Sequence, residues 1–450
     1  MAKNQPAHPW PEGPDHEDWR SVRVSQKILG EVQGPIPLAW AQRCAARLRR
    51  VRDRMRQAWV GLDDTPLGPM TDWVMACAIA RENCLLLGRP GVAKSEIAVQ
   101  FFKWLGLAPP RIDPEKLSEL ASQKVFDLSW WEERAQRERE EQKYFHYLLS
   151  RFSQVEEVFG PIELELLKKG VLTRVNFGLL TGPGVRAAFL DEVFKASSSV
   201  LNTLLTLTQE RTYFNWGGMV PSDLVMFIAA SNEMPGGFAT GTAGLGAGGE
   251  DFQTLHAFLD RFPIRLEVPT ASGTSHLPGE PSNLDRAFLV ALGREENRFT
   301  SGRNFPDPPE EDPPGINDVL LLGRAAMQGL QEGTPLLFEP ERLEVFHRHF
   351  MDIARGLQAE AGTQGALLEH EGITWTISPR KLRSLFKIAL AMAILRDEEF
   401  LSGEPGAARV RGPGVDGLEA FSAIWDSPAA QRRLRSRLES TLKRAEKDLG

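Results

Sequence analysis

Cysteine is scarce in this sequence. Cys44, Cys77 and Cys84 are the only three in 450 residues, and no two have C-x-x-C spacing. That argues against a disulfide frame or a paired-cysteine zinc site, and it reads as reduced thiols in a cytoplasmic setting. An excess of positive charge is also missing. Lys and Arg number 53 against 60 Asp and Glu, a net −7, so no overall basic field draws the chain to nucleic acid. Apolar runs are short: IALAMAIL, beginning at Ile388, is far below a membrane span, and no apolar signal region opens the chain. No membrane insertion is expected. Histidines are few and scattered. His347 and His349 in FHRHF would lie on different helix faces, which suits surface or packing roles better than metal binding.

With 42% hydrophobic and 25% charged residues, the chain has room for two or three domains. Residues 1–40, rich in Pro, His and Trp, read as an irregular extension. A basic helix follows, carrying Arg43, Arg47, Arg49, Arg50, Arg52, Arg54 and Arg56. It is expected to lay an apolar stripe on the core and turn its arginines to acidic neighbours, with nucleic-acid binding as the alternative. From residue 83 to about 268, short apolar strands alternate with amphipathic helices: NCLLL, YFHYLLSRF, VRAAFLDE, DLVMFIAAS, PIRLEV. This pattern predicts an α/β core at 41–270 built on a parallel sheet. Residues 106–143 interrupt it as an insertion whose alternating charges suggest an exposed helix with i,i+4 pairs. Residues 271–450 read as an all-α lid and C-terminal helical region.

In NCLLLGRPGVAKSEIAVQFF (residues 83–102) an apolar strand runs into a glycine-containing turn and then a helix. That is the setting of a phosphate loop, in which backbone N–H groups and a helix N-terminus face phosphate oxygens. Gly88, Arg89, Pro90, Gly91, Val92, Ala93, Lys94, Ser95 and Glu96 are the candidate nucleotide-binding residues. Lys94 brings a mobile charge to the phosphates and Ser95 a hydroxyl to Mg²⁺. Ala93 stands where the strict motif has glycine. It matters only if the position needs positive φ or has no room for a methyl group, and as a helix former it suits the start of a helix. VRAAFLDEVFK ends a buried strand in two carboxylates: Asp191 is placed to hold Mg²⁺ and Glu192 to polarise a water. The plainer reading is a strand-end pair making turn hydrogen bonds. In LVMFIAASNEMP, Asn232 follows an apolar run, at the sheet edge where α/β proteins bind ligands. It is a candidate to orient that water and sense the γ-phosphate.

In this order, GRPGVAKS, FLDEVFKASSSVLNTLLTLTQER, SNEMP, LDRFPIRL and SPRKLRSL resemble a MoxR-type AAA+ ATPase. HYLLSRFSQVEEVFGPIELELLKKG resembles the RavA-like branch in particular. The resemblance covers roughly residues 45–396 apart from the insertion, and alanine at position 93 is common in that family. It implies an AAA+ P-loop core with a helical lid, using ATP and Mg²⁺. It places the arginine finger on Arg261, with Arg265 and Arg211 as lesser candidates, and sensor 2 on Arg380. It further implies a homo-oligomeric, hexameric ring that remodels or activates a partner complex, chaperone-like, with a von Willebrand factor A-domain protein. Two hairpins are expected, around residues 160–182 and at RTYFNWGGMVP. Other readings are a nucleotide-switched scaffold with incidental turnover, or a nucleic-acid-stimulated motor. The chain shows no counterpart of the further C-terminal domain of the RavA-like branch. The N-terminal extension and the insertion are therefore expected to act as docking sites through Trp130 and Trp131, unless that pair packs under the insertion's own helix. The Gly-rich run before Arg261 reads as a loop at the subunit interface.

Overall fold

Seven strands can be placed in the computed structural model. It describes residues 35–59, 68–109, 128–232, 254–255, 257–268, 313–330, 333, 335, 337–370, 378–402, 409–423 and 428–449. In chain order the strands are β1 (Cys84–Leu87), β2 (Lys143–Leu148), β3 (Val185–Asp191), β4 (Thr212–Asn215), β5 (Gly218–Pro221), β6 (Met226–Ser231) and β7 (Ile264–Glu267). Five of them form a parallel sheet in the order β2-β3-β6-β1-β7, while β4 and β5 make a separate antiparallel hairpin. The central strands β1 and β6 are buried at every residue, as their unbroken apolar runs require of a sheet covered on both faces.

The helices before the insertion are α1 (Leu38–Ala58), α2 (Met70–Ala80) and α3 (Lys94–Trp104). Then come α4 (Leu128–Glu140), α5 (Val155–Phe159), α6 (Leu164–Lys168) and α7 (Ser198–Glu210). The helical C-terminal region holds α8 (Ile316–Met327), α9 (Pro340–His370), α10 (Pro379–Arg396), α11 (Glu398–Leu401), α12 (Val415–Leu418) and α13 (Pro428–Leu449). The two parts are joined through the chain's first helices: α10 packs on α2, and α8 and α11 pack on α1. The arginines of α1 face acids there. Arg47 is buried against Asp318 at 3.0 Å, Arg49 and Arg52 meet Glu398 at 2.9 and 3.1 Å, and Arg56 meets Asp72 at 2.7 Å. The stripe that suggested nucleic acid is therefore largely spent on holding helices together.

The insertion differs from expectation. Its segment 110–127 lies outside the described residues, as do the N-terminal extension up to residue 34 and the Gly-rich run. In α4, however, Trp131 is buried against Phe177 and Trp216, at ring distances of 6.3 and 6.0 Å, and half-buried Trp130 meets Phe177 at 5.8 Å. The Trp pair packs against two neighbouring loops instead of under its own helix, so an exposed aromatic docking pair is not what α4 presents. One i,i+4 pair of α4, Arg134–Glu138, is buried and shares Glu138 with Lys143, while Glu133–Arg137 is exposed.

The expected hairpin at 160–182 is instead a loop carrying α6, closed by one antiparallel bridge between Ile162 and Arg174. The second hairpin forms as expected. Trp216 and Gly217 both have positive φ, 51° and 72°, the backbone of a two-residue type I′ turn. Asn215 and Gly217 tie the turn to the first loop: Arg174 N–H donates to Asn215 Oδ1 at 2.7 Å, and Gly217 N–H donates to the Leu172 carbonyl at 3.1 Å.

Candidate functional site

The loop after β1 is anchored to the sheet by Gly88, whose N–H donates to the Ser231 carbonyl at 3.2 Å. Arg89, Pro90 and Gly91 are exposed, and Val92 turns back so that its side chain would lie 3.2 Å from a Cβ on Gly88. Gly91 has φ +84° and Ala93 φ +60°, while Val92 between them stays in the negative range. Such alternation curls successive N–H groups into an anion-binding concavity, at the N-terminus of α3. Position 93 therefore does need positive φ. Ala93 adopts it as the residue before the helix, so its helix propensity is not used there. A methylated residue in this conformation costs about 1–2 kcal/mol. Ala93→Gly is expected to raise stability by about 1 kcal/mol in chemical denaturation with ATP binding retained; a loss of stability would contradict the strain.

Lys94 is buried at the start of α3, and its ammonium donates to the carbonyls of Gly88 and Arg89 at 2.6 and 3.0 Å and to Asn232 Oδ1 at 2.8 Å. Burial pulls its pKa down, against the opposing pull of Asp191 and Glu192. Ser95 Oγ donates to Asp191 Oδ2 at 2.6 Å, and the other carboxylate oxygen accepts the Glu192 N–H at 3.0 Å. Glu192 has φ 53° where β3 ends, a strained turn that aims its carboxylate back over the sheet edge. Asn232, one residue past β6, donates its amide to Glu192 Oε1 and accepts from Lys94. The three sequence segments thus meet at the carboxyl edge of β1, β3 and β6. Glu96 follows in the first turn of α3.

The donor set fits a magnesium–triphosphate. A hydroxyl and a carboxylate within hydrogen-bond distance, beside a concave N–H loop and a lysine, could hold the ion, Ser95 directly and Asp191 through its water shell, and would leave the remainder to phosphate and water. Among the described residues no group of three His, Cys, Asp or Glu side chains could hold a metal ion alone.

Arg261 and Arg380 lie elsewhere. Arg261 precedes β7, and its carbonyl accepts from Asn83, the residue before β1, at 2.8 Å. Gly88 follows the other end of β1. Five residues of strand, at about 3.3 Å each, put the two roughly 16 Å apart, well beyond one side chain's reach. Arg380 stands in the first turn of α10 and donates to Asp260 Oδ2 at 2.8 Å. Both arginines line a cavity of about 310 Å³ at the amino ends of the strands, together with Arg211. Burial, with like charge from Arg81, pushes the Arg211 guanidinium down to about 10, and burial beside Arg380 lowers that of Arg261. Arg265, the other lesser candidate, is buried and donates to the Leu259 carbonyl at 3.2 Å. Two residues that sequence reasoning passed over, Asp260 and Lys381, sit inside the quoted strings LDRF and SPRK. Lys381 pairs with the same carboxylate as Arg380.

Residues 134–277 match the family model of the MoxR domain in the MoxR–vWA–β-propeller ternary systems; the phosphate loop lies outside the matched segment. Two uncharacterized proteins of Methanocaldococcus jannaschii, MJ0812 and MJ0079, are each 31% identical to the chain over 198 residues, 44% of its length. The chain spans only 39% and 38% of the length of these curated relatives. A solved structure of a candidate ATPase from Cytophaga hutchinsonii has the same fold, with a TM-score of 0.51 and 16% identity over 90% of this chain and 96% of that one. The family-model match makes residues 134–277 similar to a MoxR domain, and the solved structure shows the fold alone. They do not carry the finer resemblance to the RavA-like branch. No described helix is long and apolar enough to cross a membrane.

Proposed function

We propose that the chain binds ATP with Mg²⁺ in the loop at residues 88–95, hydrolyses it in a ring of identical copies, and uses the cycle to remodel a partner protein complex. The observation that carries this reading is the placement of two incomplete half-sites. The phosphate loop, Ser95–Asp191 and the Lys94–Asn232–Glu192 chain stand on one edge of the sheet, and Arg261 and Arg380 stand on the other. A heterologous contact, head to tail, brings the second edge of one copy to the first edge of the next and generates a closed ring.

In this reading Lys94 and the N–H groups of the loop hold the phosphates, and Ser95 and Asp191 hold the metal. A metal held there would supply positive charge against the negative charge that builds up during phosphoryl transfer. Glu192 accepts a proton from the attacking water, and Asn232 fixes the Glu192 carboxylate while bonding Lys94. Arg261 from the neighbour supplies the positive charge that one chain lacks, with Arg380 beside it. The helical region packed on α1 and α2 is the part moved against the sheet. The matched family description names a von Willebrand factor A-domain protein and a β-propeller protein as companions, and these are the partner classes we propose.

Glu192→Gln tests the enzymatic part. It keeps the shape and the bond to Asn232 but removes the base, so turnover should fall about 10²- to 10⁴-fold while ATP still drives assembly, followed by light scattering. Turnover at the parent rate would contradict the assignment. Failure to assemble with ATP would contradict the ring.

A further inference from the structure

On the amino-end face three cations share one carboxylate. Arg380 Nη2 donates to Asp260 Oδ2 at 2.8 Å, Lys381 Nζ pairs with Oδ1, and Arg261 Nη1 stands 3.7 Å from Oδ2. These side chains come from two distant segments: Asp260 and Arg261 from the foot of β7, Arg380 and Lys381 from the start of α10.

The start of α10 is a costly place for cations. Ser378 caps the helix by accepting the Lys381 N–H at 3.2 Å, and Pro379 opens its first turn. Two positive side chains then follow at the positive end of the helix dipole, where they are disfavoured. Asp260 offsets that cost and draws both towards Arg261. It does not cancel the cluster, because one negative charge faces three positive ones and two positive charges remain over the cavity. The carboxylate is itself well placed. The next residue, Arg261, donates its N–H to the Phe258 carbonyl at 3.0 Å and is held through its own carbonyl by Asn83, which also bonds the Thr208 carbonyl at 3.0 Å.

We propose that Asp260 is a positioning residue: it gathers Arg380 from the helical region and Arg261 from the sheet region into one cluster, so that both meet the triphosphate of the adjoining copy together. The inference rests on the ATPase reading above. Asp260 itself touches no phosphate. It acts by keeping two arginines at a fixed separation, and it couples the position of α10 to the reaction in the neighbour.

The test is Asp260→Asn in the full chain, with ATP as the probe. The phosphate loop of the variant is intact and on the opposite edge, so stabilisation by ATP and KM should stay within about twofold of the parent. kcat should fall about 10- to 100-fold, the scale of misplaced catalytic groups. Mixing with Glu192→Gln subunits, whose arginine face is whole, should restore part of the lost turnover. Asp260→Asn with kcat within twofold of an active parent would overturn the proposal alone. So would a loss that mixing does not relieve, which would mark a defect in the variant's own site or fold. A parent chain without turnover would instead remove the ATPase reading, and this proposal with it.

Discussion

Lys94→Ala abolishes the thermal stabilisation that ATP gives the parent chain. The parent, at ATP about a hundredfold above its Kd, should gain about 2.7 kcal/mol, or roughly 3 °C in Tm for 450 residues unfolding together. The variant should gain nothing at the same concentration. Two effects must be kept apart. The ammonium satisfies the carbonyls of Gly88 and Arg89 and the amide oxygen of Asn232, so its removal leaves three acceptors short of a donor and lowers the baseline stability by about 1–3 kcal/mol. The expected result is therefore the loss of the difference between scans with and without ATP, on top of a lower starting Tm. A variant that is destabilised yet still gains the full increment would show that the nucleotide is held elsewhere.

Arg261→Ala has the opposite signature. ATP-dependent stabilisation persists and kcat falls by about 10³-fold, the typical contribution of an arginine finger. The geometry gives the reason for the separation. Arg261 is anchored at the foot of β1 through Asn83, while Lys94 and Ser95 are at its head, so within one chain the arginine cannot contribute to binding. Among the described residues its Nε is buried without a hydrogen-bond partner and its one ion pair is the 3.7 Å approach to Asp260, which leaves capacity for an incoming anion. Paired loss of binding and turnover, measured by thermal shift and steady-state hydrolysis, would place the finger elsewhere, with Arg211 in the same cavity as the next candidate.

Much of the carboxyl-edge site was legible in the sequence because each segment carries its own local signal. An apolar strand followed by a glycine turn and a helix predicts a phosphate loop, and an apolar strand ending in Asp191-Glu192 predicts carboxylates at a sheet edge. The structure brings these together with Asn232 as expected. Less local matters were not legible. No spacing rule states that position 93 will take φ +60°; that follows from the curl of the whole loop. Nor could periodicity show that Trp131 packs on Phe177 and Trp216, since those rings belong to loops some 45 and 85 residues away in the chain. The role of Asp260 depends on the approach of α10, a contact across 120 positions that no window contains. The α1 arginines show the reverse case: their charge pattern was plain, and only the partners Asp318, Glu398 and Asp72 reveal what the charge is for.

The most direct test of a reaction centre divided between copies is the hydrolysis rate of a mixture of two variants that are each inactive alone, Glu192→Gln and Arg261→Ala. Where an Arg261→Ala subunit presents its phosphate loop to a Glu192→Gln neighbour, every required group is present. Random assembly from equal amounts makes about a quarter of the contacts of this kind, so about a quarter of the parent rate should return. A mixture no more active than its components, under conditions where both assemble with ATP, would contradict the account.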